Sequence, residues 1–161
     1  MVLFYLKVKA EMANVTDLVP MNTPEDPFEF QFTVTCTKCR QQHNKPVTIN
    51  TFEQYDITGS RGEASFVYRC KECKSEHSAS IKTTGKALVA DNNDWVRILE
   101  IDARGVDFND FIPDGKFACV GAESGTKFTE VDLSDNEWYD YDDKAGEEVS
   151  ITDIQWSVAR N

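Results

Sequence analysis

Residues 6–20, LKVKAEMANVTDLVP, begin with a strict alternation of apolar and charged side chains. Leu6, Val8 and Ala10 occupy every second position, which is typical of a β-strand with one buried face. The same alternation recurs further along the chain, at residues 28–34, 64–68 and 154–158. No stretch of adequate length has the 3.6-residue period of a helix. The sequence therefore predicts an all-β protein with antiparallel strands.

Residues 6–20 also match residues 99–113, LEIDARGVDFNDFIP, without a gap. The identical pairs are Leu6 and Leu99, Ala10 and Ala103, Asp17 and Asp110, and Pro20 and Pro113. Further matches follow in the same order, pairing Phe52, Tyr55 and Asp56 with Trp138, Tyr141 and Asp142. Such a match predicts an internal duplication. We expect a single domain over 1–161, built of two β-rich halves, about 1–93 and 94–161. They would pack as a sandwich or barrel around a pseudo-twofold axis with a shared core.

A shorter repeat, at an offset of 34 residues, contains four of the five cysteines. Each unit is predicted to be a strand, a CxxC turn and a returning strand. A CxxC turn places two thiolates side by side and supplies half of a tetrahedral zinc site. We therefore expect one zinc ion per chain in the N-terminal half, held by Cys36, Cys39, Cys70 and Cys73. The 30 residues between the pairs exceed the spacing of compact zinc modules, so no named module is indicated.

Four protein sulfurs would leave no open coordination position, so the site is predicted to be structural and the protein non-catalytic. His43 and His77 each follow a CxxC pair by four residues. They could donate hydrogen bonds around the metal or replace a lost cysteine, but we expect solvated polar residues outside the metal site. Cys119 lies on an alternating strand and is expected to be a buried, unreactive thiol. Two alternatives stay open: a CxxC thiol redox enzyme or sensor, and a metal-handling protein that passes zinc or copper to a client.

The charge of the chain is unevenly distributed. Acids outnumber bases by 28 to 17, which gives a net charge of −11. Ten of those acids lie between residues 130 and 153, where Lys144 is the only base. This excess disfavours nucleic acid as a ligand, and no apolar run is long enough to span a membrane. We expect a monomer located in the cytoplasm or nucleus, since no secretory signal pattern is present.

Residues 135–143, DNEWYDYDD, combine five acids with three aromatic residues, and we call them the acidic-aromatic segment. Aromatic anchors surrounded by charge are typical of protein interaction sites. The sequence therefore predicts a partner-binding surface here, and the alternative is a solvated acidic loop. The repeat match further predicts that Trp138 and Tyr141 lie in the core and that Tyr139 is exposed.

The whole chain resembles the eukaryotic CXXC-motif-containing zinc-binding protein family. The resemblance rests on both CxxC pairs and on three further stretches, Gly59–Ser65, Gly121–Thr126 and Trp138–Ala145. It implies an all-β, internally duplicated protein with one zinc held by Cys36, Cys39, Cys70 and Cys73, and with no established enzymatic activity. His43, His77 and Cys119 are not part of the family motif.

Overall fold

The computed structural model describes residues 2–57, 62–90 and 94–160, and within them it contains β-strands and no helix. The prediction of an all-β fold is confirmed. The strands are β1 (Val2–Ala13), β2 (Val15–Pro20), β3 (Phe30–Cys36), β4 (Val47–Ile49), β5 (Tyr55–Asp56), β6 (Glu63–Ala64), β7 (Phe66–Arg69), β8 (Glu76–Thr83), β9 (Val96–Arg104), β10 (Val106–Ile112), β11 (Lys116–Gly121), β12 (Lys127–Asp132), β13 (Trp138–Asp142) and β14 (Glu147–Arg160). Part of one predicted family stretch, residues 59–61, lies outside the described residues.

The largest sheet is antiparallel, with the order β13-β14-β1-β9-β8-β7, and it curls into a half-barrel. Its centre is the strand that opens the chain, since Leu6 of β1 lies opposite both Leu99 of β9 and Val158 of β14. Strands β13 and β7 form the two edges of the sheet. The first and the last of the described strands are therefore neighbours in one sheet.

Two three-stranded sheets mix strands from early and late in the sequence. Their orders are β10-β3-β4 and β12-β11-β2, and β5 pairs with β6 in a small separate sheet. The predicted halves therefore share sheets, and neither half forms a sheet system of its own. The internal duplication of the sequence stays a prediction.

The core between the sheets is rich in phenylalanine. Phe30, Phe32 and Phe117 are almost completely buried, and the ring of Phe32 lies 5.2 Å from that of Phe108. The alternating residues Leu6 and Val8 of β1 contribute aliphatic side chains to this core, as their period predicts. Trp95 remains at the surface, with 36% of its area exposed. In the described part of the chain, no helix could cross a membrane.

Candidate metal centre

Each CxxC pair lies in a six-residue turn at the end of a strand, and we call residues 36–41 and 70–75 the metal turns. In both, the first N–H donates to the sixth carbonyl oxygen, at 3.1 and 2.8 Å, and the fifth N–H donates to the first carbonyl oxygen, at 2.9 Å. The fifth residues, Arg40 and Lys74, adopt left-handed φ values of +63° and +65°. The strand–turn–strand units expected from the 34-residue repeat are therefore confirmed.

The two metal turns face each other and bring four sulfurs together. The Sγ atoms of Cys36 and Cys73 are 3.6 Å apart, and those of Cys39 and Cys70 are 3.7 Å apart. All four lie within 4.8 Å of one another. A tetrahedral ion with Zn–S bonds of about 2.3 Å requires S–S separations of about 3.8 Å. The sulfur spacing therefore fits one zinc ion, which these four residues would hold.

The sulfurs differ in their electrostatic surroundings. Hydrogen bonds from the Ser75 side chain and backbone lower the pKa of Cys73 to about 6. A backbone hydrogen bond from Gln41 lowers the pKa of Cys39, but desolvation and the three other thiols outweigh it and raise that pKa to about 12. In the metal-free protein Cys39 therefore keeps its proton at neutral pH, and metal binding must displace it.

Basic residues surround the sulfurs in the sequence, but two of them are already paired with acids. Arg40 lies 3.4 Å from Asp107, and Arg69 lies 3.7 Å from Glu76. Both arginines are largely exposed, so these pairs contribute little to stability. They also reduce the positive charge available to offset a thiolate-bound metal.

The two histidines lie beside the metal turns. The Nδ1 atom of His43 donates to the carbonyl oxygen of Lys45 at 2.6 Å, and its ring meets Tyr68 edge-on at 4.6 Å. His77 is only 2% exposed, so the expectation of a solvated residue is wrong for it. Burial lowers the pKa of His77 and favours its neutral form. Among the described residues, metal-binding geometry is met by the four cysteines alone.

The sequence and the fold agree with one group of known proteins. A family model described as "CXXC motif containing zinc binding protein, eukaryotic" matches residues 5–159. The chain belongs to this family. The CXXC motif containing zinc binding protein of Homo sapiens is 37% identical, and the alignment covers 92% of each chain. A UPF0587 protein of Schizosaccharomyces pombe is also 37% identical, with 98% of each chain covered.

Solved structures extend the similarity to three dimensions. The crystal structure of C1orf123 superposes on this chain with a TM-score of 0.88 and 33% sequence identity, and the superposition covers 99% of each chain. A hypothetical protein from Plasmodium falciparum, 23% identical, has the same fold with a TM-score of 0.85. Because the family is a zinc-binding one and the four sulfurs fit one ion, zinc is the metal of this site.

The fifth cysteine is separate from this zinc-family site. Cys119 lies on β11 and is 2% exposed, as expected for a core thiol. Burial raises the pKa of Cys119 to about 12, which disfavours the reactive thiolate. It is not part of the sulfur cluster.

The acidic-aromatic segment forms edge strand β13 and the turns on either side of it. Its exposed side chains differ in part from those predicted. Tyr139 is 64% exposed, as expected, but Tyr141 is also exposed at 49%, so its predicted core position is wrong. Trp138 packs against the core, with its ring 5.4 Å from that of Phe128. Asp142 is fully buried, and sequence reasoning missed this. The sequence gives no local signal for it, because the hydroxyl donors Ser124 and Thr126 lie 18 and 16 residues away.

Proposed function

We propose that this chain is a non-catalytic zinc-binding protein whose four-cysteine centre is structural and which acts by binding another protein. The observation that carries the proposal is the closed sulfur cluster together with exposed aromatic side chains on the acidic edge of the largest sheet. The first feature supports a structural metal, and the second supports a docking surface.

The metal part of the proposal rests on the geometry of the two metal turns. Cys36, Cys39, Cys70 and Cys73 would occupy all four positions of a tetrahedral ion, which leaves none for water or a substrate. Zinc would therefore cross-link β3 to β7, which belong to different sheets. A structural role predicts one zinc per chain and no turnover of a disulfide substrate by the zinc-loaded protein. Such turnover, proportional to zinc-loaded protein, would support the thiol redox alternative instead.

The partner-binding part rests on strand β13. As an edge strand it has one hydrogen-bonded neighbour, β14, within its sheet. Tyr139 and Tyr141 stand two residues apart and project from the same face of the strand. Asp140 between them is also exposed. Exposed tyrosines with acids around them suit a partner surface that is basic and apolar.

The test is affinity capture from a eukaryotic lysate with Tyr139→Ala/Asp140→Asn/Tyr141→Ala. This variant should retain zinc content and melting temperature but lose proteins that the wild type captures in a salt-sensitive way. Asp142 must be left intact because it is buried. The matched control is Phe52→Ala/Tyr55→Ala, which removes another exposed aromatic pair, 43% and 49% exposed. Equal capture by wild type and the β13 variant would contradict the proposal.

A metal-handling role is the second candidate, and the exposure of Cys39 favours it. An exposed ligand gives an incoming chelator or client a point of attack on the ion. Zinc transfer to a competing chelator measures this directly. Release within seconds would favour exchange with a client, whereas release over hours would favour the structural role.

A further inference from the structure

Residues 121–126 and 142–147 form two further turns of the same type as the metal turns. In each, the fifth N–H donates to the first carbonyl oxygen, at 2.9 and 2.7 Å, and the first residue pairs with the sixth. The fifth residues are Gly125 and Gly146, with left-handed φ values of +72° and +68°. The backbone of this second pair of turns therefore repeats that of the metal turns.

The second pair also occupies matching places in the sheets. The first turns of the two pairs follow β3 and β11, each the middle strand of a three-stranded sheet. The second turns follow β7 and β13, the two edges of the six-stranded sheet. The second residue of the first turn makes the same kind of hydrogen bond in both pairs. The N–H of Thr37 donates to the carbonyl oxygen of Gly105 at 3.1 Å, and the N–H of Ala122 donates to the carbonyl oxygen of Asn14 at 2.9 Å.

Position by position, the four cysteines correspond to Gly121, Ser124, Asp142 and Ala145. At one pair of these positions, the side chains of the two turns touch each other as the cysteines of the metal turns do. Where the Sγ atoms of Cys39 and Cys70 are 3.7 Å apart, the Oγ atom of Ser124 donates to a carboxylate oxygen of Asp142 at 2.5 Å. A hydrogen bond thus joins the turns at the place where two sulfurs meet in the metal centre.

The Asp142 carboxylate is buried and fully satisfied. Besides Ser124, it accepts hydrogen bonds from the Thr126 hydroxyl at 2.8 Å and from the N–H groups of Lys144 and Ala145 at 3.1 and 3.2 Å. Two of these four donors lie in each turn. The carboxylate therefore accepts hydrogen bonds from both turns, much as an ion would take ligands from both metal turns.

Gly121 explains how the carboxylate fits. A Cβ atom on this residue would overlap a carboxylate oxygen of Asp142 and would lie 2.5 Å from the Oγ atom of Ser124. Gly121 stands at the position of Cys36, so the space of that cysteine side chain is occupied here by the acid. Glycine is required at this position as long as Asp142 is present.

We infer that Gly121, Ser124, Asp142 and Ala145 form a metal-free equivalent of the zinc centre. The Asp142 carboxylate cross-links the two turns in place of an ion, and the backbone keeps the geometry of a tetrahedral thiolate site. Cysteines at these four positions would bind a second thiophilic divalent ion such as Zn²⁺ or Co²⁺. This inference is independent of the proposed partner binding.

The experiment is the full-length variant Gly121→Cys/Ser124→Cys/Asp142→Cys/Ala145→Cys with the native metal centre intact. Elemental analysis should give a zinc ratio of two, against one in the wild type, and Co²⁺ loading should double the thiolate–cobalt absorbance. The matched control, Gly121→Ser/Asp142→Ser/Ala145→Ser, supplies hydroxyls in place of thiolates and should keep a ratio of one. A folded four-cysteine variant that still binds one ion overturns the inference.

If the four-cysteine chain does not fold, a single substitution of Asp142 tests the cross-linking role of its carboxylate. Asp142→Asn keeps the shape of the side chain but puts an amide donor where a carboxylate oxygen accepts. Hydrogen exchange in residues 121–126 and 142–147 should accelerate roughly tenfold or more, while residues 36–41 and 70–75 and the zinc ratio stay unchanged. Asp140→Asn, an exposed change on the same strand, is the control. Unchanged exchange in the Asp142→Asn variant overturns the cross-linking role.

Discussion

Removal of zinc is expected to loosen the metal turns and leave most of the fold intact. The ion would join residues separated by 31 and 37 positions in the sequence. Closing a loop of about 34 residues by a cross-link restricts the unfolded chain by about 4 kcal/mol in the chain-entropy model. Among the described residues, the buried hydrophobic cluster does not include the four metal-turn cysteines, so we expect the core to persist without the ion.

The expected consequence is a partial loss of stability. A decrease of about 4 kcal/mol corresponds to a fall in Tm of about 8–16 °C for a chain of this size. Zinc-finger peptides bind zinc with about 10–16 kcal/mol, but they have no other core and unfold without it. Here the metal-free protein should still melt cooperatively.

The assay is thermal melting of zinc-loaded and chelator-treated protein, combined with hydrogen exchange. Protection should be lost at residues 36–43 and 66–75, where the metal turns and edge strand β7 lie. It should persist at Leu99 and Ile101, which lie in strand β9 between β1 and β8. An unchanged Tm after complete zinc removal, or a uniform loss of protection that includes β9, would refute this reasoning.

Cys119, Asp142 and Gly105 are the other positions where a substitution has a defined expected effect. Cys119→Ser should leave the zinc ratio at one, and alkylation of the native zinc-loaded protein should not modify Cys119, whereas the denatured chain should react at all five cysteines. Hydrogen bonds to the Asp142 carboxylate, first that from Ser124, lower its pKa. The ionised Asp142 therefore stabilises the fold at any pH above about 4, the pKa of an aspartate in the unfolded chain. This stabilisation is lost as the pH falls through the lower pKa that Asp142 has in the folded protein. Acid titration of Tm should show a weaker dependence in Asp142→Asn, and identical titrations would contradict this. Gly105→Ala should cost about 1–3 kcal/mol in urea unfolding. This glycine has φ +79°, and the added Cβ would lie 2.8 Å from the Nδ1 atom of His77. A cost near zero would show that this site relaxes freely.

The metal centre could be predicted from the sequence because each half of it is a short CxxC motif, and a tetrahedral thiolate site needs two such motifs. Two CxxC turns at a fixed offset specify which sulfurs meet, and alternation specifies the strands that carry them. The burial of Asp142 could not be predicted in this way. Its hydroxyl donors, Ser124 and Thr126, lie 18 and 16 residues away, and only the sheet order brings them to the carboxylate. An isolated aspartate in an acidic stretch predicts solvent exposure.

The repeat alignment shows a second limit of sequence reasoning. The gapless match places Met12 opposite Gly105, whereas the left-handed turn residues after β1 and β9 are Asn14 and Gly105. Likewise, the sequence match pairs Asp56 with Asp142, but their strands do not occupy equivalent places. Asp56 lies on β5, which pairs with β6 in a small sheet, whereas Asp142 lies on β13 of the largest sheet. Strand lengths differ between the two regions, and identical residues can be aligned across such a difference without being equivalent in space.

The two pairs of turns are cross-linked by different groups, a metal ion in one pair and a carboxylate in the other. They should therefore respond differently to chelation and to acid. Opposing turns on separate sheets need a cross-link, because neither contributes much apolar surface of its own. The cysteine pair depends on an ion and on deprotonated sulfurs, so both chelation and acid release it. The Asp142 pair depends on a charged carboxylate alone, so acid weakens it and a chelator at neutral pH does not. Chelation at pH 7 should therefore separate the two, loosening residues 36–41 and 70–75 while residues 121–126 and 142–147 stay protected.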